Sequence, residues 1–245
     1  MKYDIASITD IGKVRSNNQD RVLALVEYGE RKRTALLAVA DGMGGLACGE
    51  KASGAAIRAL EQWWNTRDAD SSMEEVSDAL DAVIYEAHRQ VYYLSEQIGQ
   101  QTGSTLSLVY LRGGEFLVKQ IGDSRVYASR GAVLRQLTVD QNWFNQMVQS
   151  GEMTREEAGS HRLRHALVNA LGVSAELEIA TQYGEALNGM MFLVCSDGFY
   201  NEAPLERLCA DLRRAPSAEA LQELMQDVLA GPAGDNASAV MCRVF

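Results

Sequence analysis

Proline is scarce, with three residues in 245, and no Gly/Ser tract or low-complexity segment interrupts the chain. That excludes a visible linker, so one domain over residues 1–245 is expected. Four cysteines (Cys48, Cys195, Cys209, Cys242) show no close pairing and no CxxC spacing, and only three histidines accompany them. A structural zinc site or a disulfide framework is therefore not expected, and free thiols in a reducing cytoplasm are the simplest account. No apolar run approaches the roughly 20 residues that span a bilayer, and the N-terminus lacks the apolar core of a signal peptide. Basic residues are outnumbered 23 to 33, a formal charge of -10. A nucleic-acid or anionic-membrane partner would need a basic face, so neither is expected. No repeat of solenoid period is present.

What the chain does hold is a set of apolar runs that end in aspartate. "LLAVADGMGG" drives a strand-like run into Asp41 and Gly42, and "FLVCSDGFY" does the same at Asp197 and Gly198. Asp123 follows a run in "QIGDSR", Asp235 opens the last one in "GDNASAV", and Asp20 begins the second in "NNQDRV". A carboxylate at a strand end is held by a sheet yet points into a loop region where ligands gather. A following glycine leaves a backbone carbonyl free to approach a cation, and hard divalent ions take oxygen ligands. An isolated Asp-Gly is ordinarily a turn, but a set of such positions spread along the chain points to magnesium or manganese rather than zinc. Arg15, five residues ahead of Asp20, suits a bidentate grip on phosphate beside such a cluster.

Strand patterns occupy "DIASIT", "RVLALVEY", "TALLAVAD", "STLSLVYL", "EFLVKQIGD", "SRVYASR", "LEIATQY", "MMFLVCSD" and "ASAVMCRVF". Gly113-Gly114 between two of them signals a two-residue hairpin. Helical spacing predicts one helix from about Ala47 to Trp64 and a second from about Ser72 to Ile98, the latter opened by a Ser72/Glu75 capping box. "NTRDADSS" reads as the loop between them. His88 and Arg89 lie off the second helix's apolar stripe and are expected on its solvent side. A further helical pair is expected near residues 204 to 230. Strands in runs and helices in pairs suggest an α+β fold: a four-layer α-β-β-α sandwich of two antiparallel sheets flanked by helix pairs.

The ordered set "GKVRSNNQD", "VADGMGG", "GSTLSLVYL", "IGDSRVY", "LTVDQNWF…GEMT", "HALVNALG", "VCSDGF" and "GDNASAVM" resembles the metal-dependent Ser/Thr protein phosphatases of the type 2C class, in their bacterial form. The resemblance runs from about Ile5 to Phe245. It implies the α-β-β-α sandwich, and hydrolysis of phosphoserine and phosphothreonine by a water bridging two Mn²⁺ or Mg²⁺ ions about 4 Å apart. By position it implies that Asp41 bridges the ions, the Gly42 carbonyl ligates the first, and Asp197 and Asp235 hold the second. It also implies that Asp123 helps hold a third ion, that Arg15 grips the phosphate, and that residues 141–164 form a flap which helps choose substrates. The implied partners are phosphorylated proteins, the targets of a cognate Ser/Thr kinase, met by a cytoplasmic monomer.

The chain departs from that pattern in four places. Gln19 stands where many relatives have glutamate, which makes Asp20 more important for the metal. Met43 replaces a histidine that animal relatives carry as a proton donor, and the general acid stays open. Gln141 after Asp140 and Arg162 after His161 alter the flap and bear on substrate preference. His161 and His165 read as flap structure rather than as proton donors. A serine nucleophile at Ser124 lacks the GxSxG elbow, and a non-catalytic phosphoprotein binder would be expected to have lost the carboxylates.

Overall fold

The structure, a computed structural model, describes residues 1–28, 33–43 and 48–245. Its strands are β1 (Tyr3–Asp10), β2 (Asp20–Tyr28), β3 (Arg33–Met43), β4 (Gly103–Ser104), β5 (Leu106–Arg112), β6 (Glu115–Ile121), β7 (Arg125–Arg130), β8 (Val133–Gln136), β9 (Ala180–Glu185), β10 (Met190–Cys195) and β11 (Ala237–Val244). The helices are α1 (Gly49–Thr66), α2 (Met73–Ile98), α3 (Trp143–Gln149), α4 (Arg155–Ser160), the single turn α5 (Asp197–Tyr200) and α6 (Ser217–Ala230). One sheet runs β1-β11-β10-β7-β8 and the other β2-β3-β5-β6-β9, with β4 paired to β3. Every pairing is antiparallel.

The alternation of β3 shows why the layers stack. Ala35, Leu37 and Val39 face the other sheet, where they meet Val126, Phe192, Val194 and Val240. Leu36, Ala38 and Ala40 face outward against Ile57 and Leu60 of α1 and Leu80 and Ile84 of α2. Side chains alternate faces along a strand, so a run buried on both sides must be apolar throughout. On the far side, Leu221, Leu224, Met225 and Val228 of α6 cover Met191, Leu193 and Met241. The expected four layers are present.

Local chemistry explains several elements. Gly113 and Gly114, at φ 60° and 99°, turn the β5–β6 hairpin as a left-handed two-residue loop requires. The Ser72 hydroxyl accepts from the Glu75 amide at 3.1 Å while Glu75 accepts from the Ser72 amide at 2.6 Å, the capping box that starts α2.

Other expectations need correction. His88 is not on the solvent side: it is 4% exposed, and its Nδ1 accepts from the Gly172 amide at 3.1 Å. Burial lowers its pKa. The second helical pair is one α-helix, α6, preceded by a 3₁₀ turn over Leu205–Cys209. β9 begins at Ala180 rather than at Leu177, and β8 and the short β4 were not anticipated as separate strands. Of the free cysteines, Cys195 and Cys242 are buried while Cys48 and Cys209 are only half-buried. The start expected for α1 at Ala47 lies outside the described residues, as do Gly44 and Gly45 of the "VADGMGG" motif. Among the described residues no helix is long and apolar enough to cross a membrane.

Candidate active site

Asp41 sits near the end of β3, directly opposite Asp20 in the β2–β3 register. Its backbone is clamped by the strand that follows α2. The Asp41 amide donates to Thr105 Oγ1 at 3.0 Å, the Thr105 amide donates to the Asp41 carbonyl at 2.9 Å, and Ser104 Oγ reaches the same carbonyl at 3.1 Å. Thr105 Oγ1 lies 2.7 Å from Ser124 Oγ, which ties this clamp to the β6–β7 turn that carries Asp123. The "GST" sequence therefore positions Asp41 by main-chain hydrogen bonds, a role its apolar neighbours did not reveal.

The two Asp-Gly pairs owe their glycines to one cause. A Cβ on Gly42 would stand 2.2 Å from the Gly49 carbonyl oxygen and 2.7 Å from that of Gln19. A Cβ on Gly198 would stand 2.2 Å from the Asn236 carbonyl oxygen. At both strand ends another backbone crosses too closely for any side chain.

Arg15, Asp41, Gly42, Asp123, Asp197 and Asp235 line one cavity of about 480 Å³, with Met43 and His165 also on its wall. They arrive from the β1–β2 loop, β3, the β6–β7 turn, α5 and the loop before β11. Asp20 is not on that wall. It is buried on β2 across from Asp41, where Oδ2 accepts from Ser196 Oγ at 2.8 Å. Its Oδ1 has no hydrogen-bond partner among the described residues. Arg15 Nη2 donates to Asp235 Oδ2 at 2.7 Å.

Asn236 is the residue that sequence reasoning missed. Its Oδ1 accepts from the Gln19 amide at 2.9 Å, and its Nδ2 donates to the carbonyls of Ile11 and Asn17 at 2.9 and 3.1 Å. One buried amide side chain thus latches the loop that presents Arg15 to the start of β11. The only signal was its place after Asp235. The Gln19 carbonyl accepts from the Gly42 amide at 3.2 Å and from Ser53 Oγ at 2.6 Å, so Gln19 also serves as main-chain scaffold.

The electrostatics are those of carboxylates crowded without enough positive charge. Burial, then the charge of Asp197, pushes Asp123 up to about 7. Burial pushes Asp20 up to about 6, against the hydrogen bonds from Ser238 and Ser196. Asp41 is held well above the usual carboxylate range, by burial and then by Asp20, Asp197, Asp123 and Asp235. Asp197 is raised by burial and by Asp235. Arg15 is raised, chiefly by its hydrogen bond to Asp235.

Among the described residues, no three His, Cys, Asp or Glu side chains form a closed metal cluster; the carboxylates stand around a cavity. The donor set still fits hard divalent cations. It offers mutually repelling carboxylates and the Gly42 main chain on the wall, with the unpartnered Asp20 Oδ1 on the neighbouring strand, room for water and no thiolate.

The flap over residues 141–164 carries α3 and α4, closed by a stack of Trp143 on His161 with ring centroids 4.1 Å apart. Gln141 anchors it: the Gln141 amide donates to the Gly122 carbonyl at 3.0 Å, and the Gly122 amide donates to Gln141 Oε1 at 2.7 Å, next to Asp123. His161 is therefore flap structure, whereas His165 is exposed and reaches the cavity wall. Ser124 is fully buried and hydrogen-bonded, which disposes of it as a nucleophile.

Comparison with known proteins identifies the family. The profile described as protein phosphatase 2C matches residues 13–231. The chain is 32% identical over 198 residues to the serine/threonine phosphatase stp of Listeria monocytogenes serotype 4b, covering 80% of this chain and 77% of that protein. It is 34% identical over 241 residues to the serine/threonine protein phosphatase PstP of Mycobacterium tuberculosis, covering 98% of this chain and 44% of that protein. The crystal structure of the PstP catalytic domain in complex with two manganese ions superposes with a TM-score of 0.80, at 31% identity and over 99% of each chain.

Proposed function

This chain belongs to the protein phosphatase 2C family, and on that premise we propose that it hydrolyses phosphoserine and phosphothreonine in proteins with two divalent ions in the carboxylate-lined cavity. That it is a serine/threonine phosphatase of the 2C type follows from the family and from its named relatives. One observation carries the proposed two-ion site: Arg15 and the four aspartates Asp41, Asp123, Asp197 and Asp235, dispersed over the whole sequence, converge on a single cavity.

In this reading Asp41 and the Gly42 carbonyl hold one ion, Asp197 and Asp235 hold the second, and Asp123 contributes to a third. Asp20 adds its charge from the paired position on β2. Manganese is the first choice because the PstP structure holds it, and magnesium suits the same oxygen donors. When bound, such ions supply the Lewis acidity that lets water attack phosphorus near neutral pH. Arg15 orients the substrate by donating to the phosphoryl oxygens, and its charge offsets the charge that builds on them in the transition state. The Ser104–Thr105 clamp keeps Asp41 still, so little reorganisation is needed when substrate arrives. Met43 has no proton to give, and the leaving alkoxide takes one from water in the cavity.

The substrates would be phosphoproteins made by a Ser/Thr kinase in the same cytoplasm, met by residues 1–245 acting as one monomeric catalytic domain. The direct test is hydrolysis of p-nitrophenyl phosphate and of a phosphothreonine peptide with Mn²⁺. Activity should stop on adding EDTA and return with excess Mn²⁺. Hydrolysis indifferent to EDTA would sink the metal-dependent reading.

A further inference from the structure

Beside the carboxylate-lined cavity lies a second one of about 540 Å³, and the two share Asp123, His165 and Asp197 as walls. Its other walls have a different character. Phe144, Arg155 and Arg164 come from the flap, and Arg125 and Tyr200 from the sheet side. A group bound in one cavity is therefore next to a group bound in the other.

The second cavity is lined by three arginines and three aspartates, and they are not all paired with one another. Arg125 is spent on Asp140, which accepts from its Nε at 2.9 Å and from its Nη2 at 2.7 Å, and its guanidinium lies 3.7 Å over the Tyr200 ring. Asp123 and Asp197 belong to the shared wall. Arg155 and Arg164 have no carboxylate partner among the described residues. Both are brought to one place by Phe144: the Arg155 guanidinium lies 5.2 Å over its ring, and the Phe144 amide donates to the Arg164 carbonyl at 3.4 Å. The cation–π contact and the capping box at Thr154 set the position of Arg155 before any ligand arrives. In a chain of net charge -10, two unpaired guanidinium groups on the wall of a cavity form a local attractor for anions.

We propose that this cavity is a second anion subsite, which takes a carboxylate or phosphoryl group carried by a substrate residue flanking the phosphoserine or phosphothreonine under attack. The inference rests on the phosphatase reading above and adds to it a preference among substrates. Extended peptide advances about 3.3–3.6 Å per residue, so a flanking side chain within a few positions can enter a cavity that shares walls with the first. Arginine suits either anion because its planar fork of donors matches the oxygens of both.

The experiment uses the full chain with Mn²⁺ and phosphothreonine peptides in which glutamate or a second phosphoserine is scanned through the flanking positions, with glutamine as the neutral reference. The expected result is a kcat/KM about fivefold to tenfold higher than the reference for at least one anionic position, falling as salt is raised. A gain with both groups marks a general anion site, and a gain with one only identifies which source the site accepts. In Arg155→Glu and in Arg164→Gln the ratio of anionic to neutral peptide should drop toward one. Arg155→Glu places an acid in the first turn of α4, where the helix dipole favours it, and melting curves verify the fold. A ratio near one in the unaltered protein, or a ratio that survives both substitutions, overturns the subsite. Absence of Mn²⁺-dependent hydrolysis on every peptide, the neutral one included, would instead overturn the phosphatase reading beneath it.

Discussion

Arg15 Nη2 donates to Asp235 Oδ2 at 2.7 Å, so the proposed phosphate clamp and a proposed metal ligand satisfy each other across 220 residues of sequence. Both side chains remain about half exposed, at 52% and 41%, so the pair adds little to stability. Its consequence is positional: cation and carboxylate hold each other at the cavity mouth until phosphate and metal compete for them.

Arg15→Ala should therefore raise KM for phosphopeptides by about tenfold, with the melting temperature almost unchanged. Steady-state kinetics at saturating Mn²⁺ read this directly. An unaltered KM would remove Arg15 from the clamp role.

Asp41→Asn keeps the shape of the side chain and removes a charge that burial and four other aspartates oppose. Hydrolysis should fall by roughly a thousandfold. Stabilisation by Mn²⁺ should also shrink, while the metal-free protein should melt higher than the parent at pH 8. Calorimetry with and without Mn²⁺ separates these effects. A variant with full activity and a full Mn²⁺ response would displace the metal site from Asp41.

The raised carboxyl groups set a pH dependence whose sign is definite. An aspartate is normally half-ionised near pH 3.9. Burial first, with other charges behind it, holds Asp20 up to about 6 and Asp123 up to about 7 in the folded chain. Groups that bind protons more tightly when folded stabilise the fold fully below the unfolded pKa, and that contribution is lost as pH rises through the folded values. Metal-free protein should accordingly melt at a lower temperature at pH 8 than at pH 5. Mn²⁺ binds the ionised form, so its stabilisation should grow over the same interval. Thermal scans from pH 5 to 8 that show the opposite slope for the metal-free protein would count against a crowded carboxylate site.

Gly42→Ala and Gly198→Ala each push a Cβ to 2.2 Å from a main-chain oxygen. Each should cost about 1–3 kcal/mol and weaken Mn²⁺ binding, because the strand end must move to relieve the clash. Gly159→Ala, whose Cβ would meet only a Phe144 ring carbon at 3.7 Å, should be neutral or slightly stabilising when all three variants are compared by urea titration. Equal stability for all three would show that the two Asp-Gly turns are not held as closely as the structure has them.

The comparison of sequence with structure divides along the range of the interactions. Alternating or continuous apolar runs announced nearly every strand, and the Ser72/Glu75 pair announced α2, because those signals depend on neighbours within a turn or a strand. His88 was misjudged because helical spacing describes one stripe, whereas α2 also meets the backbone at Gly172. The helical pair near 204–230 lost its first member because the segment around Leu205–Cys209 is short and follows Pro204, and it closes as a 3₁₀ turn.

For the site, the sequence alone determined which residue types stand at strand ends, and so that oxygen ligands and one arginine would be available for a hard cation and a phosphate. Tertiary structure alone decided that Asp20 pairs across from Asp41 but stays off the cavity wall, that Asn236 latches the Arg15 loop, and that Arg155 and Arg164 face a cavity adjoining the aspartates. Local sequence encodes propensity and face. Which oxygen meets which donor across more than 200 residues is settled only when two sheets stack and bring their strand ends to one edge.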